Sequence, residues 1–509
     1  MNNDYKARIG QIIQNQRMAR NLTQKELGQK IGTSQSAIAR IEKGEQNITL
    51  DILARISDTL SSDLISLNRS GKTSFRIDGG RELSGEITTN TSKNAAVGLL
   101  CASLLNRGKT TFRHMARIEE VFRIIEVLES IGVSCRWIND HDLEVNPPKV
   151  LKLDQIDVKA ARRTRTILMF MGPLLHQCRH FKLPYSGGCA IGNRTVAPHL
   201  IGLSPFGLSV NTTNCDDQYE IQNNPKTPKR DIVLTERGDT VTENIIMAAA
   251  QSEGEVTIRN ASANYSVQDL CFFLQKLGVR IDGVGTTVLK IRGLAKINKT
   301  VEYHISEDPI EAMSFIAAAV VTNSEITVRR APIEFLEVEL AVLAEMGLEY
   351  EKSPEYRSNN EKTRLVDLLI KKSQLHAPAD KLVPMPFPGL NMDNLPFMGL
   401  IATAAQGRTL VHDWAYENRA IYFTELAKFG GRIELVDPHR VFISGPTHWL
   451  ATDLVAPPAL RPSVVVMLAM LAAPGVSILR DVYNIQRGYQ DFAERLNSIG
   501  ANVQTINDL

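Results

Sequence analysis

"LQKLGVRI", residues 274–281, closes an amphipathic run with a glycine and turns at once into alternating apolar residues. Five further stretches have the same form: "LESIGVSC" (128–135), "LSPFGLSV" (203–210), "LAEMGLEY" (343–350), "LAKFGGRI" (426–433) and "LNSIGANV" (496–503). A glycine at that point lets the chain leave a helix through a left-handed residue, and the alternation after it has the period of a strand. The six glycines, Gly132, Gly207, Gly278, Gly347, Gly430 and Gly500, recur at intervals of roughly 70 residues. That period is longer than a solenoid repeat.

Most units begin with a helix rich in small apolar residues. Examples are "KNAAVGLLCASLLNRG" (93–108), "ENIIMAAAQSEG" (243–254), "EAMSFIAAAVVTNS" (311–324) and "PFMGLIATAAQG" (396–407). A helix that is apolar on every side is buried. Strands such as "EVTIRNA" (255–261) and "EITVRRA" (325–331) follow, then a second, amphipathic helix and its glycine. Three buried helices inside strands and outer helices make one domain, so six units predict two.

The rest of the composition bounds the function. The chain has 509 residues, 43% of them apolar, and a formal charge of +2. Those values describe a globular protein that does not coat a polyanion, so nucleic-acid binding must be local. Six scattered cysteines without a CxxC pair suggest neither a zinc site nor a disulfide framework, and no cofactor is expected. No apolar run approaches the length of a membrane span, "VVVMLAMLAA" being the longest candidate, and the expected location is the cytoplasm.

The front of the chain reads differently. In "LTQKELGQKIGTSQSAIARIEKGE" (22–45), Thr23 and Glu26 have the spacing of a capping box, and Leu27 and Ile31 share the buried face. Gly32 stops that helix and Ser34 starts the next, with Ile38 and Ile41 inward. Leu50, Leu53, Ile56 and Leu60 complete a small core. Two helices joined by a tight glycine turn predict a helix-turn-helix, and the segment resembles the phage-repressor-like family over about sixty residues. The resemblance implies that Gln24 contacts a phosphate and that Gln35, Ser36 and Arg40 face the major groove of DNA. Ten basic and seven acidic residues leave the module only about +3, so one copy binds weakly and a homodimer is expected. A helical module used for protein contacts is the alternative.

Cys189 lies in "LPYSGGCAIGNR" (183–194), a glycine-rich stretch that reads as a loop, either an inert hairpin or a reactive thiol beside Arg194. The six-unit pattern, this loop, "TSKNAA" (91–96), "RTILMFMGP" (165–173), "YENR" (416–419), "LRPS" (460–463) and "IQRGY" (485–489) together resemble the enolpyruvyl transferases. The similarity is nearest to members that use UDP-N-acetylglucosamine, and it runs from about residue 74 to the C-terminus. It implies an α/β fold, a two-domain inside-out α/β barrel of six βαβαββ-type repeats, here preceded by an all-α helix-turn-helix domain. The expected boundaries are 1–67 for the helix-turn-helix, 68–74 for a linker, 75–92 with 307–509 for one transferase domain, and 93–306 for the other.

The implied reaction adds a sugar hydroxyl to C2 of phosphoenolpyruvate and then expels phosphate. Lys93, Arg165, Arg194, Arg461 and Arg487 would clamp the trianion, arginine being suited by its planar fork. Asn94 would hold both substrates, with Arg419 and Asp308 also at the binding site. Cys189 would be the acid on a mobile loop, and Asp393 in "PFPGLNMDNLPF" (386–397) the proton-handling carboxylate. On the acceptor side the family pattern is altered: Gly238-Asp239-Thr240 replaces Ser-Val-Gly, Asn264-Tyr265-Ser266 replaces Glu-Pro-Glu, and Ala197 and Asn484 stand where Asp and His are usual. A different nucleotide acceptor, or a transcription regulator whose transferase-like body senses a metabolite, are the alternatives.

Overall fold

The computed structural model describes residues 73–185, 195–211 and 218–507, together with 22–46 and scattered neighbouring positions of the front module. Cys189, Arg194, Leu50, Leu53 and Leu60 lie outside the described residues. The chain divides into two compact units, one ending at Thr73 and one running from Ser74 to Ile506.

In the front unit, α1 (Gln24–Ile31) starts at the capping box read from the sequence: Thr23 Oγ1 accepts from the Glu26 amide while Glu26 accepts from the Thr23 amide. It stops at Gly32, whose φ of 73° is left-handed. Ser34 caps α2 (Gln35–Glu42) by accepting from the Ala37 amide. Leu27, Ile31, Ile38, Ile41 and Ile56 are buried with Ile13 in one cluster. Beneath it Arg17 and Glu42, both buried, are joined by two hydrogen bonds of 2.6 and 3.0 Å. A buried pair of this kind adds little net stability, because desolvating both charges offsets most of their attraction.

The second unit contains six sheets, of which the first strand, Thr73–Gly79, already forms part. All six repeat glycines have φ between 93° and 112°, the left-handed conformation that a helix-to-strand turn of this type requires. At Gly207 a side chain would also collide with backbone, since a Cβ would stand 1.9 Å from Asn224 O.

The small-residue helices are the interior. In α3 (Lys93–Ala102) every residue from Ala95 onward is buried. α4 (Glu119–Ser130) is an outer, amphipathic helix. α5 (Asp239–Ala249) is buried from Val241, and α6 (Tyr265–Lys276) covers it. α7 (Pro309–Val321), α8 (Leu395–Ala402) and α9 (Leu460–Ala472) are buried along almost their whole length. Each Leu, Ile or Met so enclosed contributes about 1.5–3 kcal/mol relative to exposure. The second helix of one unit departs from the expected α form: Ala420–Phe429 is a 3-10 helix that ends at Gly430.

Two apolar cores result. One is formed by residues between 95 and 305, the other by 75–87 together with 310–503 and by Tyr265. The chain therefore crosses between halves twice. Ser84–Thr88 lies parallel to Glu325–Pro332 in the second half, and Val301–His304 lies parallel to Thr110–Arg113 in the first. The two crossing segments are hydrogen-bonded to each other, Ser92 N to Ser306 O at 2.7 Å and Asp308 N to Asn90 O at 2.8 Å. Each delivers the start of a buried helix, α3 and α7, to the same place.

Candidate active site

At that meeting of helix starts, Asp308 caps α7. Its Oδ1 accepts from the Ile310 amide at 2.8 Å, and its Oδ2 accepts from the Lys93 amide at 3.3 Å. A carboxylate that bridges two helix N-termini holds both polypeptide crossings in register. Lys93 and Asn94, the first two residues of α3, are thereby oriented by an aspartate some two hundred residues further along the chain.

The Lys93 ammonium is 2.9 Å from Glu120 Oε2 on α4, with both side chains largely buried. Glu120 Oε1 also accepts from the hydroxyls of Thr164 and Thr166, each at 3.4 Å. Burial alone would push the Glu120 carboxyl up, but Lys93 and Arg487 outweigh it and hold it below the ordinary range. Glu120 thus joins Lys93 to Arg487 of α10 (Tyr483–Gly488), two cations that would otherwise repel. The sequence reading missed Glu120, although a signal was available: it stands four and eight residues before buried Ile124 and Leu128, a carboxylate on the apolar stripe of its helix.

Asp393 is held between two arginines. Arg419 Nη1 is 3.7 Å from its Oδ1 and Arg461 Nη2 is 3.7 Å from its Oδ2. Arg419 is only 2% exposed and is anchored from behind by Asp413, by Met392 O at 2.6 Å and by the face of Tyr416 at 4.2 Å. Arg461 donates to the Tyr489 hydroxyl at 2.9 Å. Burial disfavours the Arg461 charge, yet Tyr489, Asp393, Asp308 and Tyr265 more than compensate and raise its pKa. Tyr489 and Asp413 also escaped the sequence reading.

Asn94 donates to the Tyr265 hydroxyl at 2.8 Å, which brings α6 into the same centre. Among the described residues the structure therefore assembles Lys93, Asn94, Asp308, Asp393, Arg419, Arg461 and Arg487. Arg165 meets a different set. It donates to Thr195 O at 3.1 Å and acts on His199, whose pKa burial, helped by Arg165, lowers to about 4.

Beside Met392, the neighbour of Asp393, a small pocket of about 20 Å³ is lined by Arg237, Asp239, Asn264, Glu334, Glu339 and Asn391, among others. Asp239, at the start of α5, accepts from Ser262 Oγ at 2.5 Å and from Asn264 Nδ2 at 2.8 Å. Burial raises its pKa, with Asp393 adding to the effect. Behind it, burial and the neighbouring acids Asp239 and Asp269 push Glu243 up to about 8. This wall is acidic where the sequence departs from the family pattern.

In the front unit Gln35, Ser36 and Arg40 are exposed along α2. Gln24 is committed within the module, its Nε2 donating to Glu42 Oε2 at 2.8 Å.

Six units folded around two cores, with a buried lysine–arginine cluster at the double crossing, match a known class. Residues 77–496 match the family described as EPSP synthase (3-phosphoshikimate 1-carboxyvinyltransferase), and residues 13–66 match a helix-turn-helix family. The chain belongs to the enolpyruvyl transferase family, carrying in addition a helix-turn-helix domain. Within that family its curated relatives are UDP-N-acetylglucosamine 1-carboxyvinyltransferases. That of Treponema denticola is 33% identical over 434 residues, covering 84% of this chain and 98% of the relative. That of Bradyrhizobium diazoefficiens is 30% identical over 441 residues, covering 85% and 98%. In fold, the chain is similar to the enolpyruvyl transferase NikO from Streptomyces tendae, with a TM-score of 0.73 at 21% identity over 86% of this chain and 99% of that one. No helix among the described residues is long and apolar enough to cross a membrane.

Proposed function

We propose that the chain transfers the enolpyruvyl group of phosphoenolpyruvate to a sugar hydroxyl of UDP-N-acetylglucosamine, releasing phosphate, as a step of peptidoglycan precursor synthesis. The observation that carries this reading is Asp393 with one arginine on each carboxylate oxygen, in the centre formed by Lys93, Asn94 and Asp308. Asp393 takes the proton of the acceptor hydroxyl as its oxygen bonds to C2, and the Cys189 thiol protonates C3. Phosphate then leaves C2 as C3 gives up a proton, restoring the double bond. Lys93, Arg461 and Arg487, joined by Arg194, neutralise the carboxylate and phosphate, Arg419 steadies Asp393, and Asn94 orients the acceptor.

On this reading residues 1–67 are the DNA-binding domain, 68–74 a linker, 93–306 the domain with the Cys189 loop, and 75–92 with 307–509 its partner. Free Cys101, Cys135, Cys178 and Cys271 accord with a reducing cytoplasm. The acidic wall around Asp239 favours, as a second reading, a different acceptor that presents hydrogen-bond donors rather than an anion to that face.

Phosphate release from phosphoenolpyruvate tests the proposal. It is expected to depend on UDP-N-acetylglucosamine and to fall about a hundredfold or more in Cys189→Ala. Release with another acceptor only would support the second reading, while phosphoenolpyruvate binding with no release under any acceptor would make the body a sensor.

The exposed Gln35, Ser36 and Arg40 support DNA binding by a dimer of the helical module. In a gel shift with DNA from upstream of the gene itself, salt-sensitive retention is expected, and its loss in Gln35→Ala with Arg40→Ala. Unchanged retention in that variant would assign the module to protein contacts.

A further inference from the structure

Tyr265 opens α6 and is 2% exposed. It is the one described residue between 93 and 306 whose buried side chain belongs to the apolar core of the other half. Its ring stands edge-on to Phe335 at 5.9 Å, and Phe335 packs on Phe387 at 5.2 Å. The phenol therefore reaches across from one half to the other, and its hydroxyl is placed only when the halves meet.

That hydroxyl is not at an apolar end. It accepts from Asn94 Nδ2, and Asp308, Asp393 and Arg461 are all close enough to act on its titration. Burial first, then Asp308 and Asp393, push the phenol well above its usual range, so it keeps its proton. A phenol that accepts one bond retains an O–H to donate, and an asparagine whose amide nitrogen is engaged retains its carbonyl oxygen to accept. The phenol that carries one of these free valences is near enough to Asp393, the carboxylate proposed to take the acceptor's proton, to feel its charge.

From this juxtaposition we infer that Tyr265 is a positioning residue for a polyhydroxylated sugar acceptor. It fixes the Asn94 carboxamide so that Oδ1 accepts from a sugar hydroxyl or amide, and it donates its own O–H to a sugar oxygen. The inference rests on the transfer reading of the Asp393 centre. It also gives a physical role to one of the positions at which the acceptor side departs from the family pattern.

Tyr265→Phe removes the hydroxyl and keeps the ring against Phe335. Four full-length proteins are compared: wild type, Tyr265→Phe, Asn94→Ala and the double variant. Tyr265→Phe is expected to raise KM for UDP-N-acetylglucosamine about tenfold, the range set by one buried hydrogen bond left unmade. KM for phosphoenolpyruvate should change less than about twofold, and Tm should shift little, because the packing is retained. In the Asn94→Ala background the same substitution should have a clearly smaller effect, because only the direct bond from the phenol to the sugar is then left to lose. Where Asn94→Ala turns over too slowly, UDP-N-acetylglucosamine affinity by titration calorimetry carries the comparison. An unchanged acceptor KM, equal changes in both KM values, or full additivity with Asn94→Ala would overturn the inference and leave the transfer reading standing. If wild type releases no phosphate, the transfer reading falls, and calorimetry decides separately: binding weakened about tenfold in Tyr265→Phe keeps the inference, while equal affinity, or no binding by wild type, removes it.

Discussion

Asp393→Asn is expected to lower acceptor-dependent phosphate release by about a thousandfold, within the range that positioned acid–base groups contribute. The substitution preserves the shape of the side chain and removes its capacity to take a proton. Arg419 Nη1 and Arg461 Nη2 stay 3.7 Å away in the native arrangement, so the surrounding cations need not move. The loss should fall on kcat, with KM for phosphoenolpyruvate nearly constant, because the anion clamp is formed by other residues. Steady-state phosphate release at saturating acceptor measures it. A loss smaller than about tenfold would move the proton-taking role to Asp308, the other carboxylate of the centre that acts on both Tyr265 and Arg461.

Asp413→Ala should destabilise the protein by about 3–5 kcal/mol, a magnitude usual when one partner of a buried ion pair is removed. Asp413 and Arg419 have side chains only 1% and 2% exposed, and Arg419 has few other polar contacts. Without Asp413 the guanidinium keeps Met392 O and the Tyr416 face but has lost its anchoring carboxylate. Urea denaturation followed by far-UV circular dichroism measures the loss. A second variant separates charge burial from packing: Asp413→Leu with Arg419→Met should recover part of the stability, because no charge is then stranded. Its activity should nevertheless remain low, since Asp393 would have lost one flanking cation. A loss of stability under about 1 kcal/mol in Asp413→Ala would mean that water or Asp393 takes over the pairing.

The two outcomes are linked by geometry. Asp413 fixes Arg419, Arg419 faces Asp393, and Asp393 faces the place where the acceptor is proposed to react. A change far from any substrate would thus reach the chemistry through rigid contacts, at the scale where a displacement of about 1 Å costs a hundredfold in rate.

Much of the fold was legible because it depends on near neighbours. The six repeat glycines are legible because a left-handed helix exit is a property of one residue, and each has the expected positive φ. The buried helices are legible because small apolar residues around the whole circumference leave no polar face, as "AAVGLLCA" of α3 shows by being buried throughout. The capping box at Thr23 and Glu26 is likewise a matter of three residues. Candidate site residues were proposed on a different ground: their types suit a phosphorylated carboxylate, and their motifs resemble a family.

The amino-acid sequence by itself determined the repeat, its turns, its buried helices and the helix-turn-helix, since these follow from local backbone preference and apolar period. Tertiary structure alone decided which charge faces which: Lys93 with Glu120, Asn94 with Tyr265 171 positions later, and Arg419 with both Asp413 and Asp393. Those pairings come from the double crossing that joins the starts of α3 and α7, and no local preference encodes a contact between residues that only the closed chain brings within hydrogen-bond reach.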